Sequence, residues 1–482
     1  MKRNKFTGFF LSLLTAAVLL GSSIHPAEAA DVSPQNQPAT DTIGLVASAN
    51  YQADNLAMDD QYLYPTFSSL SVVDLNPESL KLFYKFRTNY IFDLVVKGQY
   101  AFAGQQSNGL RVFDITVATP TVFSSHDISG GAYGLALSGS NLLVTTGLNG
   151  LTILDTSKPY DMPVIGQLAL DGFSKQVSVS GNIALVAAGK AGVHVVDIST
   201  PEAPRLITTI TTPAEAENAA IEGSTGYLAL GLGGMQIVDL KDPAKPSILS
   251  TLDTRDFLRR VVIKDGLAYL CERDAGIRIV NIADPSNPKP LAVYNTYGGA
   301  WDVAVKDNNI YVADYPYGLI VLRYNPPVEK SIPPEGGSIE STADAVSVTI
   351  PSNGFESEIN FKHEPLPGIN TPTGPEPTLV KVGPFFRNSA WNDGTIIKPA
   401  KPYAITVKAN TAGLTTRQIG ALSLYYWDTD IKRWRKDVST RLDTTTGILT
   451  ATPNRLGLWG VFYDNEDAYT NLPQSVTPTT TP

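Results

Sequence analysis

Short apolar runs separated by turn-forming residues and prolines recur along residues 42–325. Each run is rich in β-branched residues and is too short for a helix, which is typical of buried strands. The clearest copy, GVHVVDI, begins at Gly192 and leads through a proline-containing turn into PRLITTI. The glycines that open equivalent runs are 41 or 42 residues apart: Gly109, Gly150, Gly192, Gly234, Gly276 and Gly318.

Each repeated unit contains four such runs, for instance KQVSVSG, IALVAAG, GVHVVDI and PRLITTI. Four short strands in roughly 40–45 residues are the period of one β-propeller blade. A weaker copy, SLSVVDL from Ser69, adds a seventh unit before Gly109. The pattern therefore predicts an all-β chain with a seven-bladed β-propeller over residues 42–325.

The last unit supplies only three runs before Pro326. The segment IGLVAS at residues 43–48 has the pattern of the fourth runs, such as IGQLAL at 165–170. We predict that this N-terminal segment completes the last blade, because closing the ring removes exposed strand edges.

The phrases GLRVFDI, GVHVVDIS, GMQIVDL and GIRIVNI, each followed by a proline-containing turn, resemble the LVIVD-repeat family of exported bacterial β-propellers. The resemblance covers residues 42–325. It implies the propeller fold and export, but the family has no single activity that could be carried over to this chain.

The composition changes after Asn325. Four prolines predict a linker over residues 326–335, and later runs such as VSVTIP and GLWGVFYD predict an antiparallel β-sandwich over residues 336–465. This segment is similar to ZU5-like sandwiches of secreted bacterial proteins. The features that carry the resemblance are Gly336-Gly337, the VSVTIP run and the YWD hairpin at 426–428. We expect a loop over 363–377 and a disordered Thr/Pro tail over 466–482.

The first residues have the pattern of a targeting segment. Lys2, Arg3 and Lys5 precede an apolar run at 9–20, and Ala27-Glu28-Ala29 offers small residues for cleavage. We predict a signal peptide over residues 1–29 and a disordered segment over 30–41. The protein is then exported, with an extracellular, cell-surface or periplasmic location.

Charge and composition exclude some functions. The net charge of −9 and a pI of about 5.1 argue against nucleic-acid binding, which needs a basic face. After the signal peptide we expect no membrane span, and we expect a monomer. The histidines lack metal-ligand spacing and no Ser–His or Cys–His arrangement is visible, so we predict no catalytic residue, no metal ligand and no cofactor. The single cysteine, Cys271, is expected to be a small buried residue.

The candidate binding site follows from propeller geometry. The first strands of the blades start on the face that also carries the loops between second and third strands. Two neighbouring sequence columns lie at these strand starts; one should face the channel mouth and the other pack between blades, and either assignment fits the pattern. The columns supply Asp93, Tyr133, Lys175, Gln176, Asn218, Arg259, Arg260, Trp301 and Asp302, and the loops add Glu272, Arg273, Asp314 and Tyr315.

A concave funnel with convergent polar groups and aromatic walls is typical of a binding site. Two other roles fit the same residues: a hydrated ring of self-paired side chains, and a Ca²⁺ site or acid/base pair formed by Asp93 and Asp302. The favoured function is a non-catalytic binding or scaffold protein that contacts a protein or glycan. The alternatives are a hydrolase or lyase that uses a carboxylate or Ca²⁺ site in the channel, and a structural surface-layer or matrix component.

Overall fold

The computed structural model of the protein describes residues 42–77, 79–366 and 378–465. The predicted signal peptide, the segment 30–41 and the tail 466–482 lie outside these residues. Within the described ranges no helix has the length and apolar character needed to cross a bilayer.

Residues 42–325 are built from short strands, as predicted. Numbered in chain order, they are β1 (Ile43–Ala49), β2 (Asn55–Met58), β3 (Tyr62–Thr66), β4 (Ser69–Asp74), β5 (Leu82–Arg87), β6 (Asp93–Lys97), β7 (Tyr100–Gly104), β8 (Leu110–Asp114), β9 (Thr121–His126), β10 (Leu135–Ser138), β11 (Asn141–Thr145), β12 (Leu151–Asp155), β13 (Val164–Leu168), β14 (Gln176–Ser180), β15 (Ile183–Ala187), β16 (Val193–Asp197), β17 (Arg205–Ile210), β18 (Asn218–Glu222), β19 (Thr225–Ala229), β20 (Met235–Asp239), β21 (Ser247–Leu252), β22 (Arg260–Lys264), β23 (Leu267–Cys271), β24 (Ile277–Asn281), β25 (Lys289–Tyr294), β26 (Gly299–Lys306), β27 (Asn309–Tyr315) and β28 (Gly318–Tyr324).

These strands form four-stranded antiparallel sheets, which confirms the all-β propeller-like architecture. In the described part of the chain the sheets are β2–β5, β6–β9, β10–β13, β14–β17, β18–β21, β22–β25, and β26–β28 with β1. In the last of these, β1 pairs antiparallel with β28, and Ile43 lies opposite Tyr324.

Apolar cores lie between neighbouring sheets. Leu185 and Val195 of one sheet, for example, pack with Leu228 of the next. The first strands contact one another in chain order, and β26 also contacts β2. Leu63 and Tyr311 belong to one apolar cluster, so the β2–β5 sheet and the β26–β28 sheet share a core.

The residues that repeat most faithfully make turns. Gly192 has a φ of +89°, and a Cβ atom there would lie 2.2 Å from the carbonyl oxygen of Ile210, so only glycine fits. Asp197 accepts the backbone N–H of Ser199 at 2.9 Å, which is an Asx turn that directs the chain toward the fourth strand. The recurring phrase is therefore architectural.

Residues 328–366 and 378–465 form two antiparallel sheets and one short helix. The strands are β29 (Val328–Ile332), β30 (Gly337–Ser341), β31 (Val346–Ile350), β32 (Ile359–Leu366), β33 (Leu379–Asn392), β34 (Thr395–Ile396), β35 (Ala404–Lys408), β36 (Leu422–Asp428), β37 (Arg433–Lys436), β38 (Arg441–Asp443), β39 (Ile448–Ala451) and β40 (Gly457–Asp464), and the helix is α1 (Thr416–Gly420). One sheet has the order β29-β32-β33-β40-β36-β37, with β34 on β33, and the other β30-β31-β35-β39-β38. Val348 of the second sheet and Trp459 of the first share a single apolar cluster.

Two expectations for this region are wrong. The predicted linker 326–335 contains β29, which pairs antiparallel with β32, so the second unit begins near Val328. The predicted loop 363–377 begins inside β32, where His363 is fully buried, and its remainder from 367 onward lies outside the described residues. The ZU5-like assignment stays a prediction.

Candidate functional site

A cavity of about 440 Å³ lies where the first strands of the propeller sheets begin. It is lined by residues of both predicted columns, so both columns face the cavity, not one of them as expected. The lining residues are Asn55, Tyr90, Phe92, Gln106, Tyr133, Phe173, Lys175, Gln176, Glu217, Asn218, Arg259, Arg260 and Trp301. Seven of the predicted site residues are therefore brought together: Tyr133, Lys175, Gln176, Asn218, Arg259, Arg260 and Trp301.

The base of the cavity is an ion network centred on Arg260. Its Nε lies 2.8 Å from Oδ1 of Asp302, and its Nη2 lies 3.6 Å from Oδ1 of Asp93. Gln176 adds a hydrogen bond of 3.1 Å from its Nε2 to Oδ2 of Asp93. Burial raises the pKa of Asp302, while Arg260 and two backbone N–H groups oppose that shift. Four different sheets contribute these side chains, so the network joins them across the base of the cavity.

Side chains of the same column also link several sheets to the next sheet. Asp93 accepts the backbone N–H of Leu135 at 2.7 Å, and Asp302 accepts that of Leu56 at 2.9 Å. The carboxylates of Asp93 and Asp302 are thus occupied by N–H donors and by the Arg260 guanidinium, which lies between them. This arrangement gives no support to the Ca²⁺ site or the acid/base pair, since a cation or a substrate would have to displace an existing partner.

One wall of the cavity is a continuous chain of aromatic rings, here called the aromatic arc. Successive ring centroids are 4.6 to 5.5 Å apart. Most of the pairs are edge-to-face, a geometry that stabilises each pair by about 0.5–1.5 kcal/mol. The arc therefore gives the cavity a rigid apolar wall. In order, its rings are Trp301, Tyr315, Phe67, Tyr90, Phe92, Tyr133 and Phe173.

The other wall is charged. Lys175 Nζ lies 2.6 Å from Oε1 of Glu217, which neutralises both groups. The guanidinium of Arg259 lies over the Trp301 ring at 4.2 Å, and that of Arg273 lies over the same ring at 5.6 Å. Trp301 therefore joins the aromatic arc to the cationic side of the cavity.

The repeated units carry a recognisable family pattern. Five segments match the family described as LVIVD repeat: residues 90–124, 129–168, 171–212, 258–296 and 297–322. The chain therefore contains LVIVD repeats within residues 90–322. A comparison with curated proteins found no significant match.

Solved structures to which this LVIVD-repeat chain is similar include the computationally designed Ika8 protein, U3-55K and the WD40 repeats of RRP9. The Ika8 protein shares 11% sequence identity at a TM-score of 0.45, over 58% of this chain and 98% of that chain. U3-55K shares 12% identity at a TM-score of 0.49, over 60% of this chain and 100% of that chain. The RRP9 repeats also share 12% identity at a TM-score of 0.49, over 60% and 98% of the two chains.

Several predicted residues make contacts within the repeated units or beside the cavity instead of lining it. Glu272 is fully buried and lies 2.8 Å from Arg278 Nε in an ion pair; its Oε2 accepts Arg278 Nη2 at 3.2 Å and Arg255 Nε at 3.3 Å. Asp314 is fully buried and accepts the backbone N–H of Gly298 at 3.0 Å. Asp93 and Asp302 belong to the ion network. Tyr315 and Arg273 do not line the cavity but pack against Trp301, which does.

Tyr90, Phe173 and Gln106 line the cavity but were missed. Tyr90 and Phe173 stand two positions before Phe92 and Lys175 in the repeat, so a third column contributes aromatic rings to the wall. The sequence could have predicted these rings, because the spacing that identified the two columns also identifies the residues two positions earlier.

Gln106 belongs to a loop column with an unusual backbone. Gln106 and Arg273 have φ angles of +51° and +40°, in the left-handed region that favours glycine. Such a conformation costs a non-glycine residue on the order of 1 kcal/mol. Gln106 Nε2 donates to the Tyr133 hydroxyl at 3.2 Å, and Arg273 packs on Trp301. The equivalent positions in the intervening LVIVD units are glycines with similar angles: Gly147, Gly189 and Gly231.

Asp54, next to the cavity, carries a strongly perturbed carboxyl group. It is fully buried, and it accepts hydrogen bonds from the Tyr90 hydroxyl and from Asn55 Nδ2. Burial raises its pKa to about 7; Arg259 and Asn55 oppose the shift, and Asp302 adds to it. The folded chain therefore holds this proton more tightly than the unfolded chain does between about pH 4 and pH 7.

The variant Asp54→Asn tests that pKa. Because the folded-state pKa is raised, the stability that protonated Asp54 contributes is complete below its ordinary pKa and is lost as the pH rises through about 7. We expect Asp54→Asn to match the wild type at pH 4 and to exceed its free energy of unfolding at pH 8 by up to about 4 kcal/mol. Urea unfolding at several pH values measures the difference, and a constant difference at every pH would contradict the raised pKa.

Proposed function

We propose that residues 42–325 form a closed seven-bladed propeller and that the chain is an exported, non-catalytic binding protein. Its cavity mouth contacts a protein or glycan in the cell envelope or outside the cell. The pairing of β1 with β28 and the core shared by the first and last sheets support closure. The targeting pattern of residues 1–29 supports export.

The aromatic arc is the observation that carries this function. Five of its seven rings line a concave space together with arginine side chains, and tryptophan, tyrosine and arginine are the residues that dominate binding energy at protein interfaces. Small-molecule sites show the same composition of aromatic walls with few polar groups. The arc is held by ring-to-ring packing, so a ligand meets a surface that needs little reordering.

Gln106 and Arg273 add a second line of support. The backbone at both positions would be relaxed by glycine, yet both carry side chains that contact the cavity wall. Unfavourable backbone geometry of this kind concentrates at functional sites. These two side chains are therefore natural determinants of what the mouth binds.

The double variant Gln106→Gly/Arg273→Gly tests the proposal without risk to the fold. Glycine suits both φ angles, so the melting temperature should stay unchanged or rise. Capture of partners from the native envelope fraction, quantified by mass spectrometry with the mature chain as bait, should fall at least tenfold. Trp301→Ala should have the same effect.

Tyr160→Ala is the matched control for that experiment. Tyr160 is 71% exposed on the connection between β12 and β13, at the opposite end of the strands from the cavity. This variant should capture as the wild type does. If the mouth variants also retain full capture, the cavity is not the binding surface.

A further inference from the structure

This inference rests on the proposed function and names the ligand. We propose that the cavity binds an acidic sugar, a hexuronate unit of a glycan, with its carboxylate on Arg259 and its ring against the aromatic arc. The charged side chains of the cavity that already have protein partners leave one cation for a ligand.

Arg259 is the cation of the cavity wall that lacks a protein partner. Arg260 is engaged by Asp93 and Asp302, and Lys175 is engaged by Glu217. Among the described residues the Arg259 guanidinium has no hydrogen-bond or ion-pair partner, and its contact is the face of Trp301 at 4.2 Å.

Asp54 is not a hydrogen-bond or ion-pair partner of Arg259. It interacts with Arg259 electrostatically but accepts its hydrogen bonds from the Tyr90 hydroxyl and Asn55 Nδ2, and burial favours its protonated form below about pH 7. The Arg259 guanidinium therefore presents its planar set of N–H donors to the cavity. That geometry matches a carboxylate through two parallel hydrogen bonds, and stacking on Trp301 holds the plane in place.

The remaining lining favours a sugar over a peptide segment. A sugar ring has an apolar face of C–H groups and a rim of hydroxyl groups. The aromatic arc provides the complement to the face. Around the rim, the cavity is lined by amide and carboxylate side chains whose lone pairs and N–H groups left over from their contacts within the protein suit sugar hydroxyl groups: Asn55, Gln176, Glu217 and Asn218.

The size of the cavity agrees with a small ligand. Its volume of about 440 Å³ falls within the ~300–1,000 Å³ typical of small-molecule sites. A stable protein interface would need about 800 Å² from each partner, far more surface than this cavity offers. A glycan can place one or two rings in the cavity and leave the rest of its chain outside.

The test uses the mature chain and defined probes. These are tetrasaccharides of galacturonate, mannuronate and hyaluronan, each with its carboxyl-reduced counterpart, together with inorganic phosphate and a short peptide ending in glutamate. Trp301 is the sole tryptophan between residues 42 and 325 and four more follow it in the chain, so the part of the fluorescence change that Trp301→Phe removes reports on Arg259. We expect at least one acidic tetrasaccharide to bind at least tenfold more tightly than its reduced counterpart in calorimetry, with a fluorescence change lost in Trp301→Phe.

Arg259→Gln is the decisive variant. Since Arg259 makes no hydrogen bond or ion pair with the described residues, the variant should fold, and its melting temperature at pH 5, where Asp54 is protonated, should match that of the wild type. It should lose the preference for the acidic form, whereas Arg205→Gln, at an exposed ion pair, should keep it.

Four results would overturn this inference: no saturable binding by any acidic tetrasaccharide at millimolar concentration, equal binding of acidic and reduced forms, an unchanged preference in Arg259→Gln, or binding of the peptide or phosphate in place of the sugars. If partner capture still depends on Gln106 and Arg273 after such a result, the proposed function stands and only the ligand class is wrong. If capture is also independent of them, both are wrong.

Discussion

Arg260→Met is expected to lower the free energy of unfolding by about 3–5 kcal/mol, because it leaves two buried carboxylates without their cation. Asp93 and Asp302 are at most 3% exposed, and both face the Arg260 guanidinium. The effect is measurable by urea unfolding at pH 7, followed by far-UV circular dichroism.

Arg205→Met supplies the matched control. Arg205 also pairs with an aspartate, its Nη2 lying 2.7 Å from Oδ2 of Asp197, but its side chain is 76% exposed. Exposed pairs of this kind contribute about 0–1 kcal/mol. Combining Arg260→Met with Asp93→Asn and Asp302→Asn should recover part of the lost stability. Equal costs for the two single arginine variants would show that the ion network does not join the sheets as described.

Deletion of residues 42–50 should abolish the wild-type unfolding transition and promote aggregation. The deletion removes β1, leaves β28 as an unpaired edge, and uncovers the apolar cluster that contains Ile43 and Leu322. Burying one such aliphatic side chain is worth about 1.5–3 kcal/mol, and a bare strand edge invites pairing with another chain. Thermal unfolding and size-exclusion chromatography measure both effects.

A synthetic peptide with the sequence TIGLVASAN should restore the truncated protein. Added in excess, it can pair with β28, and the melting temperature should then rise with peptide concentration by mass action. A scrambled peptide should have no effect. If the truncated chain is as stable as the full chain, β1 does not close the ring.

The repeat pattern predicted the strands of residues 42–325 because each unit repeats the same local physics. A glycine such as Gly192 is required by a left-handed backbone against a carbonyl, and an aspartate such as Asp197 makes an Asx turn. Both constraints act over a few residues, so they are visible in the sequence. The strand β29 was missed because its partner β32 is about 30 residues away, and the prolines around it are typical of a linker.

The sequence predicted where along the strands the candidate site lies, but not which of its side chains contact one another. The repeat spacing places Asp93, Arg260 and Asp302 at equivalent positions of their sheets. It does not show which side chains contact one another across the base of the cavity. The pair Arg260–Asp93 joins residues 167 positions apart in the chain, and no local pattern specifies it. For the same reason Glu272 and Asp314 were assigned to the mouth, although their partners hold them inside the loops.

The pairing of β1 with β28 also decides how the last propeller sheet responds to force. The chain enters β1 at Ile43 and leaves β28 at Tyr324, and these two residues are partners at the same end of the strand pair. Tension applied between the two ends would load the hydrogen bonds one after another, starting at Ile43 and finishing at Ala49, instead of loading them all at once in shear. A sheet that is thermodynamically stable would therefore lose β1 under modest pulling, so any tether that bears load is better attached through a single terminus than through both.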